Sequence, residues 1–266
     1  MSTLAAQHVS VQIAGQVVVR DASVSVSSGE MVGLVGPNGA GKTSLVRAMC
    51  RLVKASAGTI ALDEANVAGI SNRDFARRVS YLPQGHTLHW RLAVEHLVGL
   101  GRMPHRGQFG GLSETDTQAI SAAMDRAEIG QFAARDVGTL SGGERSRAML
   151  ARVLAVEADI ILADEPVAAL DPYHALHVME LLRGLAREGR GVLVVLHDLS
   201  LAMRFCDRLV LMQDGLIVRQ GAPDDVLSTA PLGETYGVHG HYGTYENEGY
   251  VVPWRRLTRS SERGRD

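Results

Sequence analysis

The chain has 266 residues, of which 45% are hydrophobic and 21% are charged, a composition typical of a folded protein and not of a disordered or fibrous one. Its formal net charge of −2, from 27 basic and 29 acidic residues, argues against a globally basic nucleic-acid-binding protein. Its two cysteines, Cys50 and Cys206, form no Cys-x-x-Cys pair, which favours a reducing compartment over a disulfide scaffold.

The N-terminal region predicts short strands. Alternating apolar residues predict strands at residues 8–13, 17–20 and 24–26, separated by turns. Residues 31–35 are apolar and predict a buried strand that leads into a Gly-rich turn. Leucine and valine at helical spacing then predict a helix at 43–53.

The middle of the chain changes character. Residues 58–83 predict short strands around a polar helix at 72–78, whereas residues 93–155 follow a helical pattern with almost no strand signal. Strand and helix alternate again from residue 159 to 212. This alternation predicts a parallel sheet covered on both faces, with a helical insertion.

Neither a membrane span nor a structured end is expected. No apolar run approaches the roughly 20 residues that a bilayer requires, and the first residues lack the pattern of a signal peptide. We therefore expect a cytoplasmic chain that reaches a membrane only by docking. The tail from about Tyr236 is rich in Gly, Tyr and His, and its end, residues 255–266, carries five arginines against two acidic residues. This composition predicts a frayed, solvated terminus, the alternative being contact with lipid phosphates or a partner.

A Gly-rich segment after the buried strand predicts a phosphate-binding loop. Residues 36–43 (Gly-Pro-Asn-Gly-Ala-Gly-Lys-Thr) match GxxxxGK[ST] at every fixed position, between a predicted strand and a predicted helix. Glycines let backbone N–H groups converge on a phosphate, Lys42 reaches the β- and γ-phosphates, and the Thr43 hydroxyl ligates Mg²⁺. The loop alone leaves kinases, GTPases and many ATPases open.

An acidic pair narrows the chemistry. Four apolar residues, 160–163, predict a buried strand that ends at Asp164 and Glu165. Asp164 is placed to hold Mg²⁺ through water, and Glu165 can polarise the attacking water.

Residues 140–144 (Leu-Ser-Gly-Gly-Glu) resemble the signature motif of the ATP-binding cassette (ABC) ATPases. In the family's order, Gln84 resembles the Q-loop, residues 164–166 the Walker B end, residues 169–171 the D-loop and His197 the switch histidine. The resemblance covers about residues 4–235.

This resemblance implies an α/β fold: a RecA-like P-loop NTPase core with an N-terminal antiparallel β subdomain and an inserted helical subdomain. It implies a single ABC ATPase domain over residues 1–235, with the insertion at about 86–155, followed by a C-terminal tail over 236–266. Ile13 stands where the family usually has an aromatic residue that stacks on adenine, which predicts looser nucleotide selectivity.

The resemblance also implies ATP and Mg²⁺ as cofactors and a head-to-tail dimer, in which the signature of one copy meets the ATP of the other. Glu165, His197 and Gln84 would be catalytic. The implied ATP-binding residues are Gly36, Pro37, Asn38, Gly39, Ala40, Gly41, Lys42, Thr43, Ser44, Ser141, Gly142, Gly143 and Asp171, and the implied Mg²⁺ ligands are Thr43, Gln84 and Asp164.

One cassette without fused membrane spans favours a separate subunit that docks on a membrane permease at the cytoplasmic face of the inner membrane. Residues 97–106 and 140–145 resemble ATPases of iron-siderophore, haem and cobalamin importers, which act with an extracytoplasmic substrate-binding protein. No nucleic-acid partner is expected. The alternative is a soluble, non-transport ABC ATPase that acts as a regulator or assembly factor. An exposed groove around residues 86–110 would favour the importer.

Overall fold

The computed structural model describes residues 1–85, 91–107, 111–168 and 170–257. Its strands are β1 (Thr3–Ile13), β2 (Gln16–Ser27), β3 (Met31–Val35), β4 (Ala57–Leu62), β5 (Ala65–Asn66), β6 (Val79–Leu82), β7 (Ile160–Asp164), β8 (Gly191–Val195), β9 (Arg208–Gln213), β10 (Leu216–Gly221), β11 (Val238–Tyr245) and β12 (Glu248–Arg256). Its α-helices are α1 (Lys42–Met49), α2 (Asn72–Arg78), α3 (Val94–Gly99), α4 (Glu114–Arg126), α5 (Gly142–Leu154), α6 (Pro172–Arg187), α7 (Leu199–Phe205), α8 (Pro223–Val226) and α9 (Thr229–Tyr236). Short 3-10 helices cover Val67–Gly69, Leu100–Arg102, Gly130–Phe132 and Val137–Thr139.

A six-stranded sheet forms the centre, in the order β10-β9-β3-β8-β7-β6. Only the β9–β10 pair is antiparallel. Successive residues of β3 enter different cores: Met31 and Val35 pack with α5, α6 and α7, whereas Val32 and Leu34 pack with α1 and the N-terminal strands. This burial on both faces explains why the central strands are continuous apolar runs.

The N-terminal sheet has the order β2-β1-β4-β5 and its strands are longer than predicted. Instead of three short strands, β1 and β2 form one long antiparallel hairpin across the Ala14-Gly15 turn. The pairing shifts register between Ala6 and Val9, and His8 and Asp21 adopt a positive φ. Because of these irregularities, β1 and β2 continue through polar residues at which the alternation of apolar and polar residues had predicted the ends of strands.

Helices α3, α4 and α5 lie between β6 and β7, as the sequence predicts for a helical insertion. A buried ion pair holds this region together: Arg102 Nε donates to Asp116 at 2.8 Å, and both residues are about 5% exposed or less. A further guanidinium nitrogen donates to the carbonyl of Ala155 at 2.9 Å. Asp116 also caps α4 through Ser113. The Arg102 guanidinium, together with the Ser113 N–H, holds the pKa of Asp116 at about 2.

Asp116→Asn is expected to lower the free energy of unfolding by about 3 kcal/mol, because it removes the buried one of the two carboxylates, Asp116 and Glu157, that pair with the Arg102 guanidinium. A folded-state pKa of about 2, below the ordinary 3.8, means that this stabilisation is present above pH 4 and is lost as the pH falls towards 2. Urea unfolding of both proteins at several pH values checks this. Glu188→Gln, which removes the exposed partner of Arg126, is the control and should cost less than about 1 kcal/mol. An equal cost for both variants would contradict the role of the buried pair.

The C-terminal segment is ordered where a frayed terminus was expected. Strands β11 and β12 pair as a hairpin that packs on α7 and α9. Val251 is fully buried in the main core, which the arginine-rich composition of the following residues did not indicate. Residues 258–266, with Arg259, Arg263 and Arg265, lie outside the described residues. The division into a domain over 1–235 and a segment over 236–266 stays a prediction.

Within the described ranges, no helix combines the length and apolar character that crossing a membrane requires.

Candidate functional site

The phosphate-binding loop connects β3 to α1 and requires glycine at two tight positions. Gly36 has φ 149° and a Cβ there would lie 2.2 Å from the carbonyl oxygen of Met212. Gly41 has φ 97° and precedes α1, and a Cβ there would lie 2.5 Å from the carbonyl oxygen of Val18. A side chain at either position would collide with these carbonyl oxygens, so only glycine permits the tight turn of the loop. The first N–H groups of α1 therefore point into the loop.

Lys42 is held inside this loop. Its Nζ donates to the carbonyl oxygens of Gly36 at 2.6 Å and Pro37 at 2.9 Å. Burial lowers the pKa of Lys42, and the nearby carboxylates of Glu165 and Asp164 partly offset this effect. An anionic phosphate in the loop would favour the charged ammonium in the same way as these carboxylates do.

Thr43 and Asp164 form the candidate magnesium edge. The Thr43 hydroxyl donates to Asp164 Oδ1 at 3.1 Å, and the Tyr81 hydroxyl lies 3.3 Å from Oδ2. Asp164 is completely buried, and burial raises its pKa against the lowering effect of these two hydroxyls. A buried carboxylate beside a hydroxyl oxygen is the hard-oxygen donor set that Mg²⁺ prefers, so these residues fit the ion.

Glu165 and His197 meet at the carboxyl ends of β7 and β8. The imidazole Nε2 of His197 and the carboxylate Oε1 of Glu165 are 2.5 Å apart. Glu165 adopts φ 53°, a left-handed conformation that costs a non-glycine residue energy and occurs often at functional sites. Its N–H donates to the carbonyl of Val195, which fixes the strained turn to β8. The pair thus provides a carboxylate that is oriented by an imidazole.

The carboxyl ends of β3, β6, β7 and β8 lie at one edge of the sheet, and an open cavity of about 770 Å³ is located there. It is lined by Val18, Asn38, Gly39, Ala40, Gly41, Lys42, Thr43, Ser44, Gln84, Glu165 and His197. Gln84 therefore shares one cavity with the phosphate loop and the Glu165–His197 pair.

The signature residues lie elsewhere. Ser141 caps α5: its hydroxyl accepts from the N–H of Glu144 at 3.2 Å, and Glu144 accepts from the N–H of Ser141 at 2.8 Å. The Ser141 N–H lowers the pKa of Glu144. Ser141, Gly142 and Gly143 do not line the 770 Å³ cavity. The exposed start of α5 therefore lies outside the cavity that the chain's own phosphate loop lines.

Asp171 also lies away from the cavity, as the cap of α6. Its carboxylate accepts from the backbone N–H of His174 at 3.0 Å, which lowers the pKa of Asp171. Leu170 beside it belongs to the described residues, whereas Ala169 does not.

Three residues beside the site were not predicted from sequence. Val18 lines the cavity and Ile13 does not, although the motif comparison placed the adenine contact at Ile13. Tyr81 contacts Asp164, and its position three residues before Gln84 was the available signal. Tyr236 of α9 has its hydroxyl beside the backbone of Gly36, and burial raises its pKa. No sequence signal connects Tyr236 to the loop.

Comparison with known proteins decides the family. The family model described as ABC transporter matches residues 19–168, which is more than half of the chain. The chain belongs to the ABC transporter family. This confirms the family predicted from the signature motif and its companions.

Several curated relatives of this ABC protein are named import ATP-binding proteins. A cobalamin import ATP-binding protein of Halobacterium salinarum is 41% identical over 94% of the chain, which spans 63% of that relative's length. A hemin import ATP-binding protein of Pseudomonas aeruginosa is 38% identical over 88% of the chain and 92% of the relative. A petrobactin import ATP-binding protein of Bacillus subtilis is 33% identical over 91% of the chain and 96% of the relative.

Solved structures agree on the fold. A chain of a metal-chelate type ABC transporter in an inward-facing conformation superposes with a TM-score of 0.82 over 96% of the chain and 98% of its own length, at 21% identity. A dimeric bacterial ABC transporter cassette superposes with a TM-score of 0.74 over 83% of the chain and 98% of its own length, at 27% identity. The predicted P-loop NTPase fold, with its antiparallel and helical subdomains, is confirmed. The ABC protein binds ATP by family, whereas the role of each site residue stays a prediction.

Proposed function

We propose that the chain is the ATP-binding and ATP-hydrolysing subunit of a membrane importer for a metal chelate or tetrapyrrole. The observation that carries the ATPase part is the single cavity that joins Lys42, Gln84, Glu165 and His197 at one sheet edge. The names of the relatives, which import cobalamin, hemin and petrobactin, support the substrate class.

Binding would begin in the phosphate loop. The N–H groups at the start of α1 take the β- and γ-phosphates, and Lys42 leaves the carbonyls of Gly36 and Pro37 for the phosphate oxygens. Thr43, Asp164 and Gln84 would hold Mg²⁺, which neutralises charge on the phosphates when bound. Thr43 and Asp164 need only a small change, since their oxygens are already 3.1 Å apart.

Hydrolysis would use Glu165 as the general base. Glu165 accepts a proton from the attacking water, and the His197 imidazole orients this carboxylate through their 2.5 Å contact. Once ATP is bound, His197 would contact the γ-phosphate. Gln84 lies two residues after the end of β6 and lines the cavity. It would position the attacking water and transmit to the helical insertion whether ATP is bound.

A second copy would complete the site. The start of α5 presents the Ser141 hydroxyl and the first helical N–H groups, those of Gly142 and Gly143, and none of these residues lines the chain's own cavity. Asp171 caps α6 and follows Leu170, whose side chain lies beside Gly143. In a head-to-tail dimer these groups would bind the γ-phosphate held by the partner, so ATP closes the dimer and hydrolysis reopens it.

The permease would dock in a groove between the helical insertion and the part of the core that precedes it. A cavity of about 490 Å³ is lined by Cys50, Leu52, Phe75, Ala76, Val79, Ser80, Tyr81, Pro83, Leu100, Gly101, Pro104, Arg152, Val153 and Val156. Leu52 is 61% exposed and Leu100 is 42% exposed at its rim. An apolar groove with exposed leucines fits an amphipathic cytoplasmic helix of an integral membrane permease. Of the region 86–110, where the sequence predicted a docking groove, residues 86–90 and 108–110 lie outside the described residues.

This docking would make the chain a peripheral protein of the cytoplasmic face of the inner membrane. Through the permease it would act with an extracytoplasmic substrate-binding protein. The net charge of −2 argues against a nucleic-acid partner.

ATP hydrolysis by the purified chain tests the ATPase part. We expect phosphate release that depends on Mg²⁺ and stops when EDTA removes it, because Asp164 and Thr43 require the ion to bind the triphosphate. Lys42→Ala is the matched loss-of-function variant. Hydrolysis that continues in EDTA, or that survives Lys42→Ala, would contradict the assignment of this cavity.

A further inference from the structure

The C-terminal hairpin contacts the helix that follows the switch histidine. Ser200, in the first turn of α7, donates its hydroxyl to the carbonyl of Val251 in β12 at 2.7 Å. Val251 is completely buried in the main core. The hydroxyl of Ser200 therefore joins α7 to a fixed point of the hairpin.

The hairpin itself is anchored on both strands. The Tyr242 hydroxyl of β11 donates to the carbonyl of Leu227 at 2.8 Å. Glu248 at the start of β12 pairs with Arg204 of α7. Because these contacts fix the hairpin to the body of the protein, it can support α7 as a rigid surface.

The same serine is connected to the active site through Asp198. The carboxylate of Asp198 accepts from the backbone N–H of Ser200 at 2.9 Å and of Leu201 at 3.0 Å, which caps α7. Asp198 directly follows His197, whose imidazole contacts Glu165. One short path thus runs from the hairpin to the residue that orients the proposed base.

We propose that Ser200 is a positioning residue, through which the C-terminal hairpin sets the place of His197 for ATP hydrolysis. The hydroxyl holds the first turn of α7, and the first turn holds the segment that carries the imidazole. This inference rests on the proposed ATPase activity of the cavity. It gives the hairpin a role beyond covering the core.

Steady-state kinetics of Ser200→Ala test the proposal. We expect kcat to fall about fivefold, the effect of losing one neutral hydrogen bond, with an unchanged KM for ATP because the phosphate loop is untouched. Ser200→Thr keeps the hydroxyl and should restore kcat. Ser228→Ala is the matched control, since its hydroxyl also donates to a backbone carbonyl, that of Asp225 at 2.9 Å, away from His197. An unchanged kcat in Ser200→Ala, or an equal fall in the control, overturns the proposal.

Imidazole NMR separates this role from the proposed function. With ¹⁵N-labelled histidine, the signals of His197 are those that disappear in His197→Ala. Ser200→Ala should shift them, and Ser228→Ala should not. Signals that stay unchanged in Ser200→Ala overturn the positioning role, whereas a wild-type protein that hydrolyses no ATP contradicts the proposed function instead.

Discussion

Glu165→Gln is expected to slow ATP hydrolysis by roughly 10²-fold or more, the usual contribution of a general base, while ATP binding persists. The amide cannot accept the proton of the attacking water, but Lys42 and the N–H groups of the loop keep their phosphate contacts. Phosphate release at saturating ATP, together with ATP binding by filtration, measures the two effects separately.

Glu188→Gln is the control for that experiment, because it removes an exposed carboxylate that pairs with Arg126 and lies outside the cavity. Near-wild-type turnover in Glu165→Gln would remove Glu165 from the role of base. Loss of ATP binding in the same variant would show that the carboxylate acts in binding and not in the chemical step.

Mixing Ser141→Ala with Lys42→Ala is expected to restore activity that neither variant has alone. Lys42 binds the phosphates in its own chain, whereas Ser141 would serve the site of the partner. A mixed dimer then holds one site with both wild-type residues and one site with both substitutions. With random pairing and independent sites, the mixture should regain at most about a quarter of the wild-type rate.

Two results would contradict shared sites. A mixture no more active than its components would show that Ser141 and Lys42 act in the same chain. A mixture about half as active as the wild type, the mean of a fully active Ser141→Ala and an inactive Lys42→Ala, would show that Ser141 is dispensable. Each variant mixed with itself is the control for the concentration dependence of pairing.

The site motifs could be found from sequence because each depends on local chemistry. A buried strand followed by a Gly-rich turn predicted a phosphate loop at residues 36–43, and the apolar run at residues 160–163 predicted a second buried strand that ends at the acidic pair Asp164 and Glu165. Parallel strands then bring these carboxyl ends to one edge without further information.

The remaining contacts depend on tertiary packing, which the local pattern does not contain. The C-terminal hairpin is stabilised by the buried side chain of Val251 in the core. It is also held by the hydrogen bond from Ser200 of α7 to the carbonyl of Val251, which joins residues 51 positions apart. The bulges of β1 are set by pairing with β2, so the alternation pattern ended the strands too early. Val18 lies inside a strand that the sequence predicted, but only the packing of that strand beside the phosphate loop brings it to the cavity.

Co-purification with a membrane partner tests the central claim, that the chain powers a membrane importer, most directly. Tagged Glu165→Gln, with ATP and Mg²⁺, is incubated with detergent-solubilised membranes of the source cells, and bound proteins are identified by mass spectrometry. Leu52→Arg in the same background charges the exposed rim of the groove, and Leu216→Arg charges an equally apolar side chain, 43% exposed, on β10.

We predict that a polytopic membrane protein binds to the tagged chain, is lost with Leu52→Arg and is retained with Leu216→Arg. Capture of a soluble partner with no membrane protein, unaffected by Leu52→Arg, would contradict the importer and favour a regulator or assembly factor.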